Sequence, residues 1–182
     1  MKTKYWVMVA AVALVMSQSH AAYAQLNSNQ ASVNLNAVMD ETVSVSAAPG
    51  TVNFTPLDPN GVTNGDSAVT IDTAWVLNPS RGNLDVYAYF ASTTALTNTS
   101  DATYTIPVGS VQGQVNAGAP TAFTGNSPFA VGSSLPVATV SIIGNNKNSS
   151  RSDSLSLTVD TTGAGLPAGT YTGTLFVQAQ VL

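Results

Sequence analysis

The sequence has no cysteine, and its only histidine, His20, stands near the N-terminus in a stretch read below as a leader. Past that stretch there is no thiol, no imidazole and only one lysine, Lys147. A Ser-His-Asp or Cys-His nucleophile cannot be assembled from such a set. Nor can a zinc, copper or iron site of the usual nitrogen and sulfur type. Disulfides and cysteine-linked lipid anchors are excluded with the thiols. Charge is scarce too. Charged residues make up 8% of the chain, against about 25% in ordinary soluble domains. Solubility therefore rests on Ser, Thr, Asn and Gln, and few charges are left to keep strand edges apart.

The first residues read as a secretory leader. Lys2 and Lys4 precede an apolar run from Tyr5 to Met16, and Ala22-Tyr23-Ala24 carries small residues where a signal peptidase cuts. The run is too short for a membrane span, which needs about 20 apolar residues. The expected division is a signal peptide over 1–24 and a single domain over 25–182. The expected destination is the periplasm, then the cell surface or the medium. Beyond residue 24 the cations are Arg81, Lys147 and Arg151, set against nine carboxylates. That balance cannot neutralise a phosphate backbone, which argues against nucleic acid and against anionic lipid.

The rest reads as strands. Ala31, Val33, Leu35 and Ala37 alternate with Ser32, Asn34 and Asn36, and the parity resumes at Val43, Val45 and Ala47. Val69 to Leu77, Leu84 to Phe90, Val137 to Ile143, Ser154 to Val159 and Tyr171 to Val181 follow with period two or as short apolar runs. Turn signals such as Asp58-Pro59-Asn60-Gly61, Asn78-Pro79 and Gly144-Asn145-Asn146 separate them. No amphipathic helical period is visible. The expected fold is an all-β, antiparallel sandwich, immunoglobulin-like in architecture. Gly109 to Ser134 is weakly periodic and reads as a long loop or an irregular hairpin.

Carboxylates are the remaining chemistry. A glycosidase needs two facing ones, but the adjacent Asp40 and Glu41 point to opposite sides of a strand. Asp72 and Asp85 carry no sign of pairing. The Asp58–Asp66 loop offers oxygen ligands, yet Val69 stands where an EF-hand needs its glutamate, and turn chemistry explains the same residues. The expectation is no catalytic site, no metal and no cofactor. Tyr87 and Tyr89 share the polar face of their strand and form a candidate ligand platform for sugar. Trp75 is expected in the core.

Two stretches resemble a known family. Ala31 to Ala47 followed by Thr51 to Pro59, and Pro167 to Leu182, are similar to the opening and closing strands of the spore coat protein U-like family. That family includes the subunits of archaic chaperone–usher pili. This chain departs from it in lacking cysteines and in carrying Val181 where the broader pilin pattern has an aromatic residue. The resemblance implies an incomplete sandwich with a groove for a strand donated by the next subunit. On that basis Ala31, Val33, Leu35 and Ala37, within a 25–37 extension, would be the donor side chains. Tyr171, Leu175, Val177, Ala179 and Val181 would line the acceptor strand. The implied partners are identical or related subunits, with a periplasmic chaperone and an usher. Two alternatives stay open: a self-contained secreted module binding carbohydrate or a surface protein, and a small outer-membrane barrel.

Overall fold

Val69, Ile71, Thr73 and Trp75 are buried and the residues between them exposed, so this strand fixes one wall of the core. Leu84, Val86 and Ala88 do the same on the opposite wall. The computed structural model describes residues 29–182. The leader expected over 1–24 lies outside the described residues. In chain order the strands are β1 (Thr42–Ala48), β2 (Val62–Asn64), β3 (Val69–Val76), β4 (Asn83–Tyr89), β5 (Thr94–Asn98), β6 (Thr105–Pro107), β7 (Val111–Val115), β8 (Thr121–Ala122), β9 (Ser134–Ser141), β10 (Asn148–Asp160), β11 (Tyr171–Thr172) and β12 (Phe176–Val181). The chain divides after Val38, and every strand lies in the unit Met39–Leu182. The described part of the other unit, 29–38, forms no helix or strand, and each of its residues is exposed.

All strand pairs are antiparallel. The largest sheet runs β1-β3-β10-β7-β8, with β2 against β10. A second sheet runs β12-β4-β9, and a third β11-β5-β6. The result is an antiparallel β-sandwich. Its core collects Ile71, Trp75, Leu84, Val86, Ile106, Phe123, Leu155 and Val159 from the facing sheets. The sheets have open edges, which a closed barrel would abolish, so the sandwich displaces the barrel alternative. Among the described residues, no helix is long and apolar enough to cross a membrane.

Within Gly109–Ser134 the hairpin alternative is the one realised. β7 and β8 pair through Gln112 and Gly113 with Ala122 and Thr121. The turn between them places Asn116 at φ 48° and Ala117 at φ 60°, a left-handed conformation that Asn tolerates well. Val111 and Phe123 from this hairpin are fully part of the core. β10 begins earlier than its alternating apolar residues suggest, because Asn148 to Asp153 extend the pairing with β3.

Candidate functional site

The two walls are not equally closed. Across the β1–β3 pair, Val43 lies opposite Trp75, Val45 opposite Thr73 and Ala47 opposite Ile71. Directly opposed residues share a face, so these β1 side chains belong to the core side. Yet Val43 is 38% exposed, Ala47 is exposed and Val45 is half-buried, while their β3 partners are buried. The second sheet repeats the pattern at its edge. Val177, Ala179 and Val181 of β12 lie opposite Ala88, Val86 and Leu84. The β4 members are fully buried and the β12 members only half so. The core face is thus covered in its middle and open where β1 and β12 end their sheets.

A cavity of about 440 Å³ occupies this seam. Ala47, Val52 and Phe54 form one lip, and Gly173, Leu175 and Val177 the other. Val69, Phe90, Val111, Leu157 and Val159 form the floor, all of them buried core residues. β1 and β12 run antiparallel across it. The start of β1 and the end of β12 meet one turn: Glu41 is paired with Arg81, and the next amide, Gly82 N, donates to the Leu182 carbonyl at 2.8 Å.

The residues of the closing strand separate here. Leu175 and Val177 line the cavity, while Ala179 and Val181 continue along the same half-covered face. Tyr171 belongs to another sheet, where it pairs with Asn98. The switch falls at Gly173, whose missing side chain leaves room for the Ala95 carbonyl oxygen; a Cβ there would collide with it. A glycine inside a strand pattern signals such a close approach. Val52 and Phe54, which lie in no strand, are the wall that alternation alone does not assign to the site.

Ala31, Val33, Leu35 and Ala37 lie in no strand, and Val33 and Leu35 are 82% and 93% exposed. Among the described residues, no strand pairing includes 29–41.

Tyr87 and Tyr89 are half-buried on the outer face of β4. They do not form a bare two-ring platform. Phe129 stacks on Tyr89 at 5.7 Å and meets Tyr87 edge-on at 6.2 Å, and Phe176 stacks on Tyr89 at 5.5 Å. Tyr89 therefore has neighbours on its rings' faces, and the Tyr89 hydroxyl donates to Gln178 Oε1 at 3.0 Å. Phe176, 42% exposed, is the open end of this ridge. Trp75 is buried and its indole N–H donates to the Asn146 carbonyl at 2.7 Å.

Several of the carboxylates have structural partners, while Asp40 and Asp72 accept no hydrogen bond among the described residues and are exposed. Asp58 Oδ1 accepts the Asn60 amide, and Asp66 accepts both the backbone and side-chain N–H of Asn53. Those Asn53 bonds hold the Asp66 carboxyl below its ordinary range. Asp85 accepts the Thr139 hydroxyl. Asp153 is the one fully buried carboxylate among the described residues. Arg151 donates to both its oxygens, and Asn116 Nδ2 donates at 2.6 Å. Burial pushes the Asp153 carboxyl up, but Arg151 and Asn116 outweigh it and the net shift is downward.

These features define a class: an antiparallel β-sandwich with an apolar cavity at the seam between two edge strands. The chain matches no family model and no curated protein sequence.

Proposed function

We propose that this protein is an exported, non-catalytic structural subunit of a pilus, fimbria or surface coat, assembled by strand donation. Ala31, Val33, Leu35 and Ala37 of one copy fill the seam between β1 and β12 of the next. The observation that carries this reading is the pairing of an uncovered apolar seam with an unpaired segment of matching alternation. An added strand gains backbone hydrogen bonds from the free edges and places alternate side chains in the cavity. In the exported setting a chaperone would shield the seam first and an usher would exchange it. The resemblance to spore coat protein U-like pilus subunits agrees with this order of events.

Deleting 25–37 tests the reading. The expected product stays folded, with its seam open, and no longer forms polymers. Unchanged polymerisation of the deletion overturns strand donation.

One observation favours a second reading, a secreted binding module. The Phe129–Tyr89–Phe176 ridge ends in an exposed ring beside Gln178, and rings next to side-chain amides suit carbohydrate. Retention of the monomer on a glycan column, abolished by Phe176→Ala, would support it.

A further inference from the structure

Glu41 and Arg81 stand 40 residues apart in sequence and close a two-pronged ion pair. Arg81 Nε donates to Glu41 Oε1 at 3.0 Å and Nη2 to Oε2 at 2.8 Å. The Asn78 amide adds a third bond to Oε1 at 2.7 Å. The platform for this grip is a rigid turn. Arg81 N donates to the Asn78 carbonyl at 3.1 Å, and Asn78 Oδ1 accepts the Ser80 amide. Pro79 occupies the position whose φ a proline presets in such a turn. A planar guanidinium holding both oxygens of a carboxylate is the most directional of ion pairs.

Glu41 is the residue before β1. β1 is an edge strand with one partner, β3, and core-side residues that are only partly covered. β3 already pairs with β1 from Thr42 onward, and the grip adds a side-chain tie at the root of that pairing, where a strand end frays first.

We infer that the Arg81–Asn78 grip on Glu41 is a positioning device that sets where the donated segment ends and the subunit body begins. The inference rests on the strand-donation reading and adds to it the control of flexibility between successive subunits. With the grip closed, the free linker after Ala37 is only Val38-Met39-Asp40. The four steps from Ala37 to Glu41 span at most about 14 Å, so each subunit stays close to the one that accepts its strand. With the grip open, Thr42 and the residues after it can join the linker, and the joint loosens. Because the pair is solvent-exposed, its loss leaves overall stability nearly unchanged. Arg81 and Glu41 act through the root of the donor, not by touching the acceptor seam.

The test uses the full chain, whose lack of cysteine makes a single nitroxide label unique. One label is placed at Met39→Cys, beside the grip, and a reference label at Asn36→Cys, inside the donor segment. In the free subunit, the label at 39 is expected to show an immobilised component that the label at 36 lacks. Arg81→Gln should abolish that component while the melting temperature stays close to that of the parent. The double exchange Glu41→Arg with Arg81→Glu should restore most of it, missing only the Asn78 bond. In polymers imaged by electron microscopy, Arg81→Gln should lower the persistence length and the exchange should recover it. A label at 39 indifferent to Arg81→Gln overturns the inference, as does a polymer whose stiffness Arg81→Gln leaves unchanged. A parent chain that never polymerises overturns the strand-donation reading, and with it the role of the grip between subunits.

Discussion

Leu35 is the largest of the four side chains proposed to be donated, and it is 93% exposed. Seating it in the seam removes nearly all of its surface from water. Truncation to alanine deletes three carbon groups, each worth about 0.8 kcal/mol when buried. Leu35→Ala should therefore weaken docking by about 2.4 kcal/mol, which at about 1.4 kcal/mol per tenfold is roughly a 50-fold change. The assay is inhibition of polymerisation of the full chain by a synthetic peptide of residues 29–41. The Leu35→Ala peptide should need roughly 50 times the concentration for the same inhibition. Asn34→Ala is the control, because a strand turns successive side chains to opposite faces. Its potency should match the parent peptide. Equal losses from both substitutions, or from neither, would refute the claim that the odd-numbered side chains enter the cavity.

Three further outcomes are expected. Asp153→Ala leaves Arg151 without its buried counter-charge; since Arg151 is itself partly exposed, the expected loss is about 2 kcal/mol in urea unfolding, below the roughly 3–5 kcal/mol of fully buried pairs. Because the Asp153 carboxyl is held below its ordinary value, its stabilisation is complete above about pH 4 and fades as acid titrates it in the folded state, so Asp153→Ala should also flatten the acid limb of the stability curve. Glu41 is held down at about 2, first by Arg81 and then by the Asn78 amide; of the Thr42 and Val43 amides, the one that faces β3 should stay protected from hydrogen exchange in the parent as pH falls from 4 towards 2, and lose that protection with Glu41→Gln throughout the range. Gly173→Ala drives a Cβ into the Ala95 carbonyl, so a loss of about 1–3 kcal/mol is expected on thermal unfolding, together with reduced peptide binding at the adjoining seam.

Alternation alone made the central strands readable. Ile71, Trp75, Leu84, Val86, Leu155 and Leu157 fall on the core side because period two leaves them no other face. The hairpin of β7 and β8 was less legible, since Gly113 interrupts it and Phe123 stands as a single apolar residue. Gly113 is needed there: a Cβ would crowd Leu155 and Phe123, a packing reason invisible without the facing sheet. Tyr171 reads as one strand with Leu175 and Val177 because the parity never breaks. Only the approach of Ala95 to Gly173 sends it to a different sheet. Of the seam, the Leu175–Val181 wall was legible and the Val52–Phe54 wall was not, since Val52 and Phe54 reach it without strand pairing. The Glu41–Arg81 grip depends on the turn at Asn78–Arg81 carrying a cation back to β1. No spacing rule links residues so far apart.

If a neighbour's strand fills the seam, as proposed, this chain's thermal history depends on its concentration. A body whose last strand comes from elsewhere gains stability by mass action, so its melting temperature should climb as the sample is concentrated. With so few charges along either border, there is little to tell a legitimate strand from a stray one of similar pattern. Such a molecule is safest when it meets its neighbour immediately, and a concentrated stock left standing should drift toward fibres faster than a dilute one.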